Sequence, residues 1–190
     1  MKSRLAGVAA LPLVALLCGC TAPGDGERPA AGERTGKPLV ATPGSADGAS
    51  VELYFPDEHG TLSAEARQLA PWTAPGEGAR SLLEALLAGP QSEALSAPLP
   101  PGTSLGTVHL SAAGLLYVDL LSSEHPRPPL SGSSAELTAV YSLVDSVLLN
   151  LPEIRGVVLL WNGRQLPTFA GHVDTSLPLR ADADLLARRR

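Results

Sequence analysis

The stretch between Ser133 and Pro152 constrains this chain more than any other. Leu137, Val140, Tyr141, Val144, Val147, Leu148 and Leu151 recur at intervals of three and four, the period of a helix that buries one face. Ser133 and Glu136 have the spacing of a capping box, in which each side chain would satisfy a backbone N–H at the helix start. Pro152 stops the run. Such a helix needs another layer to cover its apolar stripe, so the rest of the chain must supply a sheet or more helices.

Both are present in the pattern. Residues 78–88 carry Leu82, Leu83, Leu86 and Leu87 at helical spacing, and Gly89-Pro90 ends them. Val51-Glu52-Leu53-Tyr54-Phe55 alternates and reads as a strand, followed by a turn at Asp57-Glu58-His59-Gly60. Residues 62–69 return as a second strand, although their Ala-Glu-Ala-Arg centre suits a helix equally well. Pro71 and Pro75-Gly76 form a loop, and residues 92–101 are a Pro-rich connection. Residues 105–111 and 115–121 are two strands joined at Ala112-Ala113-Gly114, with Leu116, Val118 and Leu120 on one face. Residues 156–161 are apolar enough for a buried strand. Asn162-Gly163 then favours a tight hairpin, with residues 164–168 as the return strand. The order is β-β-α-β-β-α-β-β. It predicts a single α+β domain over residues 51–180, with an antiparallel or mixed sheet and two helices packed on one face.

The chain before that domain has a different character. Lys2 and Arg4 precede an apolar run from Leu5 to Leu17, shorter than the roughly 20 helical residues that span a bilayer. This is the pattern of a signal peptide over residues 1–19. It ends Leu17-Cys18-Gly19-Cys20, which resembles a bacterial lipobox. A small residue must precede the cut, and a thiol must follow it to form a thioether to diacylglycerol. Gly19 precedes Cys20, whereas bulky Leu17 precedes Cys18, so Cys20 is the expected lipidation site and membrane attachment. Removing Lys2 and Arg4 from the 14 basic residues leaves 12 against 19 acidic ones, a mature net charge of −7. Thr21 after the lipid cysteine, where Asp would favour the inner membrane, points to the outer one in a host with two. Residues 20–50 are Gly, Pro, Ala and Ser with scattered charge, a tether with a root-mean-square reach of about 30 Å. Residues 181–190 form a basic C-terminal tail ending in Arg188-Arg189-Arg190. A solvated end is one reading of those arginines, and attraction to anionic lipid or wall polymer another.

In this order the domain resembles the GerMN domain of sporulation and spore-germination lipoproteins. The likeness rests on Leu53-Tyr54-Phe55, on Leu82-Leu83-Glu84-Ala85-Leu86-Leu87-Ala88-Gly89-Pro90 and on Pro101-Gly102-Thr103. Val118-Asp119-Leu120, Gly132-Ser133-Ser134-Ala135-Glu136, Trp161-Asn162-Gly163 and Gly171-His172-Val173-Asp174 continue it. The resemblance implies an extracytoplasmic, often lipid-anchored domain without known catalytic residues, which assembles with other envelope proteins and is related to domains that build rings. One copy is present here, where some members carry two.

The chemistry-bearing residues are sparse. A net charge of −5 over the whole chain, with no basic stripe interleaved with aromatics, argues against nucleic acid as a partner. Cys18 and Cys20 are the two cysteines, so neither a disulfide framework nor a cysteine metal site is expected in the domain. Gly102-Thr103-Ser104-Leu105-Gly106 matches the nucleophile-elbow pattern, but it follows Pro100-Pro101 and leads into a strand instead of a helix. Asp57 with His59, and His172 with Asp174, could each pinch a metal, or serve as turn and framework residues. Glu65 with Arg67, and Glu153 with Arg155, read as solvated surface charges. Trp72 and Trp161 could stack on sugar or pack inside. Two functions follow, neither catalytic and neither requiring a cofactor. One is a scaffold that binds envelope proteins or itself. The other is a module for peptidoglycan or another wall polymer, with Trp161, Asn162 and Tyr117 as contacts.

Overall fold

The structure is a computed structural model and describes residues 48–187. The expected signal segment, the expected lipidation site Cys20, the expected tether up to residue 47 and Arg188–Arg190 lie outside the described residues. Among the described residues no helix is long and apolar enough to cross a membrane.

The domain is α+β, as the pattern implies, but its strands divide into two sheets. Strand β1 (Ala49–Pro56) and strand β2 (Leu62–Leu69) form an antiparallel hairpin, so the ambiguous second segment is a strand. Asp57 organises the turn, accepting from the N–H groups of His59 and Thr61 and from the hydroxyls of Thr61 and Ser63. Burial opposes the charged form of this carboxyl, yet those bonds hold it below its usual range.

Helix α1 (Pro75–Leu87) begins earlier than the apolar spacing suggests, so Pro75-Gly76 belongs to its first turn and not to a loop. Proline suits that position because its missing N–H would be unpaired there anyway. Glu77 reaches back to the N–H and hydroxyl of Thr73. Gly89, at φ 90°, terminates the helix as expected. Gly78 is required by packing: a Cβ there would lie 2.6 Å from the indole of Trp72.

Strand β3 (Ser104–Leu110) pairs antiparallel with β4 (Leu115–Leu121), with a bulge between Leu105 and Val108. Helix α2 (Ser133–Leu148) then crosses over to β5 (Gly156–Trp161), which lies parallel to β4. Parallel neighbours need such a crossover, and the strongest helix in the sequence supplies it. Leu116, Val118 and Leu120 of β4 and Val157, Leu159 and Trp161 of β5 point inward. They share one core with Val51, Leu53 and Phe55, with Leu82, Leu83 and Leu86 of α1, and with Val140, Leu143, Val144 and Val147 of α2.

Among the described residues the expected sixth strand, over residues 164–168, does not form. Asn162-Gly163 forms the predicted tight turn, with φ 50° and 74° and reciprocal bonds between Trp161 and Arg164. Pairing stops there. Leu179 exchanges both backbone bonds with Val157, so a later segment takes the β5 edge, and Pro167 has no N–H to donate to a ladder. The ordered chain also runs past residue 180. A short 3-10 turn (Ala183–Leu185) leads to a parallel bridge between Leu186 and Leu62.

Candidate functional site

The polar residues singled out by the sequence hold segments of this domain together. Trp161 is 1% exposed, packs edge-on against Phe169 at 5.9 Å and donates its Nε1–H to the carbonyl of His125 at 2.9 Å. A ring so enclosed presents almost no face to solvent. Asn162 sits in the left-handed region, which its short side chain tolerates. Its Oδ1 accepts from the N–H of Ser122, and its Nδ2 donates to the carbonyls of Ser122 and His125. Gly163 N–H donates to Asp119 Oδ1 at 2.8 Å. Thus Trp161, Asn162 and Gly163 fasten the chain that leaves β4 to the end of β5. Trp72 is likewise buried.

Glu136 is the second fastening point. It does not cap α2: Ser133 is the first helical residue, Gly132 precedes it at φ 89°, and no side chain caps that end. The carboxylate instead is wholly buried and accepts the N–H groups of Ala170, His172 and Val173 at 2.7, 2.9 and 2.9 Å. His172 Nδ1 adds a contact at 2.8 Å. Burial works against the charged form, but four hydrogen bonds outweigh it and keep the carboxyl below its usual range. Three charge-assisted bonds from a loop satisfy the carboxylate better than one capping bond could, which is why the capping box fails.

The paired-residue candidates resolve in the same way. His172 lies on Glu136, while Asp174 accepts from the N–H and hydroxyl of Ser176. Asp57 is engaged by its own turn, and no group of three or more His, Cys, Asp or Glu side chains able to hold a metal occurs among the described residues. Ser104 opens β3 directly after a turn, the wrong context for a nucleophile elbow. Glu65 and Arg67 are not solvated surface charges: both side chains are 13% exposed. They bond each other at 2.6 Å, Glu65 accepts from the N–H groups of Gln91 and Ser92, and Arg67 donates to the Gly89 carbonyl. The pair ties β2 to the chain just after α1, because its charges satisfy the Gly89 carbonyl and the Gln91 and Ser92 N–H groups of that connection.

What remains outward is the far face of the β3–β4–β5 sheet. Tyr117 is 37% exposed and Leu121 38%. His109 stands opposite Tyr117 across the β3–β4 pair, with ring centroids 6.4 Å apart. Leu115 and Leu160 lie on the same face, partly exposed. Of Trp161, Asn162 and Tyr117, the residues expected as contacts to a wall polymer, Tyr117 lies on this face with its ring exposed.

The profile of the family described as sporulation and spore germination (Germane) matches residues 52–167, more than half of the chain. The chain belongs to this family. Its GerMN domain is similar in fold to the first GerMN domain of the sporulation protein GerM from Bacillus subtilis, at 24% identity and a TM-score of 0.51. That likeness covers 73% of this chain and 97% of that one. The tandem GerMN domains of the same protein match with 21% identity and a TM-score of 0.53 over 69% of this chain. This chain spans 45% of the tandem structure, less than half its length. No curated protein matches the chain.

Sequence reasoning located the fastening motifs but not what they fasten. A further set escaped it. Ser142 and Ser146 on α2, and Asn150 in the turn just after it, recur every four residues, a polar stripe visible in the sequence, and all three are buried. Ser146 Oγ accepts from the N–H of Tyr54, and Ser142 donates to the Tyr54 carbonyl. Asn150 pairs with both backbone groups of Glu52, at 3.0 and 2.7 Å. The helix thereby closes one edge of β1, taking the place of a neighbouring strand.

Proposed function

We propose that this chain is a lipid-anchored, non-catalytic protein of the cell envelope whose GerMN domain acts as an interaction module in an envelope or spore-related assembly. The observation that carries this reading is the outer face of the β3–β4–β5 sheet, where Tyr117 and Leu121 stand exposed beside Leu115 and Leu160. Apolar side chains gathered on an uncovered sheet face are the kind of surface a protein partner buries. Membership of the sporulation and spore germination family supports the setting. The Leu17-Cys18-Gly19-Cys20 run supports the anchor: cleavage before Cys20 leaves a thiol for lipid, and the acyl chains hold the domain on the extracytoplasmic side of a membrane.

A photoreactive phenylalanine analogue in place of Tyr117, irradiated in cells, tests the module. Protein adducts that vanish when the analogue stands at Glu153 instead are the expected result. Their absence, with retention on purified sacculi that Tyr117→Ala abolishes, would overturn it in favour of wall-polymer binding. For the anchor, Cys20→Ser should move the protein from the membrane to the soluble fraction; a membrane-bound variant would refute lipidation at that position.

A further inference from the structure

Residues 182–187 rest on α2 through a carboxyl group that no cation offsets. Just before them, Leu179 is fixed to β5 by its two bonds with Val157. Among the described residues, the segment is hydrogen-bonded to the rest of the domain through two backbone N–H groups. Asp182 donates to Asp145 Oδ1 at 3.0 Å, and Ala187 donates to the Leu62 carbonyl at 2.8 Å, beside the Leu62–Leu186 bridge. Asp145 is wholly buried, and its Oδ2 has no hydrogen-bond partner among the described residues. The ionisable groups that act on it are Asp182, on the segment packed against it, and Tyr141, one turn earlier on α2. Neither Asp145 nor Asp182 forms an ion pair with a Lys, Arg or His among the described residues. Asp182 is half-buried, and so nearer to water than the carboxyl it contacts.

We propose that residues 182–187 are a proton-controlled latch, docked on α2 while Asp145 carries a proton and released when it ionises. A carboxylate enclosed in this way gives up its hydration for a single donor, while a second carboxylate faces it. Lifting the segment removes both costs, because water then reaches the two groups. The protonated acid bears no charge, and its carbonyl oxygen still accepts the Asp182 N–H, so docking suits that form. Burial accordingly pushes the Asp145 carboxyl up to about 7; the Asp182 N–H opposes the shift and the Asp182 carboxylate adds to it. Tyr141 stays uncharged throughout, since burial and then the two carboxylates raise its own ionisation above 10.0. An acid with a raised value in the docked state favours docking most below its ordinary 3.8, and progressively less as pH rises to about 7. Within that window each pH unit makes release about tenfold more favourable, and beyond it the balance is constant.

Amide hydrogen exchange on the full-length protein tests this, with each rate expressed as protection relative to the free chain at the same pH. Protection of the Asp182 and Ala187 N–H groups should fall by about tenfold per unit between about pH 5 and 7, then level off. The Val157 and Leu179 N–H groups open with the core, so they should stay better protected at every pH, by about tenfold or more. Asp145→Asn should flatten the pH dependence at Asp182 and Ala187. Asp182→Asn keeps the backbone donor but removes the facing charge, so the levelling should move to lower pH. The proposal is overturned if Asp182 and Ala187 keep one protection from about pH 5 to about pH 8, or if the Asp145→Asn protein retains the slope. It is equally overturned if Asp182 and Ala187 exchange no faster than Val157, since the segment would then leave only when the whole domain unfolds.

Discussion

At the scale of single residues, two polar fastenings carry the domain's loops, one buried at Glu136 and one exposed at Asn162. Glu136 gathers three N–H groups and a histidine nitrogen from residues 170–173. Glu136→Gln would turn an amide N–H toward a donor that the carboxylate now accepts. A loss of roughly 3 kcal/mol in denaturant unfolding is expected, because buried donors are left without partners. A loss below about 1 kcal/mol would contradict the clamp. The folded pKa of Glu136 is lowered, so its contribution is fully present above the ordinary 4.5 and fades as pH falls through the folded value. Asn162 supports a finer test. Asn162→Gly keeps access to the left-handed backbone while removing three side-chain bonds to Ser122 and His125. It should cost about 1–2 kcal/mol, and Asn162→Ala about 1 kcal/mol more, because alanine also strains at φ 50°. Equal losses in thermal unfolding would show that backbone geometry plays no part.

At the scale of elements, α2 explains why periodicity alone misjudges a helix. Its apolar residues face the core as predicted, yet Glu136, Ser142, Asp145 and Ser146 are also buried, so little of the helix faces water. The polar side belongs to β1, whose edge it closes. Asn150→Leu keeps the branched heavy-atom shape but leaves the N–H and C=O of Glu52 without those partners. Destabilisation of about 2–3 kcal/mol is expected, with faster amide exchange at Glu52 than at Phe55. A neutral outcome would mean that water replaces the side chain. The helix period was legible in the sequence; the fours-spaced Ser142, Ser146 and Asn150 were legible too, but only the presence of a strand edge beside them makes them partners instead of a solvated face.

At the scale of the whole molecule, Asp145 links stability to pH. It is wholly buried, its Oδ1 accepts the N–H of Asp182 at 3.0 Å, and its Oδ2 has no hydrogen-bond partner among the described residues. Burial pushes its carboxyl up to about 7; the Asp182 N–H opposes that shift, and the Asp182 carboxylate adds to it. An acid with a raised folded pKa holds its proton longer when folded than unfolded. Stability therefore falls as pH rises from 3.8 to about 7 and levels off beyond. Asp145→Asn should flatten that slope, so its denaturation midpoint should exceed that of the parent at pH 8 and approach it near pH 4. Parallel profiles for the two proteins would exclude Asp145 as the source. The same bond secures the start of the segment whose Leu186 reaches β2, so Asp145 ties the helical layer to residues 182–187.

Apart from residues 62–69 and 164–168, the helix and strand identities follow from local preference, as do the turn at Asn162-Gly163 and the α+β class, because period and turn chemistry act within a few residues. Pairing and polar partnership do not. Whether residues 164–168 would pair depended on Leu179 reaching the β5 edge first, and whether Glu136 would cap its helix depended on a loop more than thirty residues away. Glu65 and Arg67 read as surface charges for the same reason: the carbonyl and N–H groups they satisfy come from the connection after α1, more than twenty residues on. A buried polar group must find a partner, and the partner is chosen by which segments the folded core brings within about 3 Å, a distance that sequence separation does not encode.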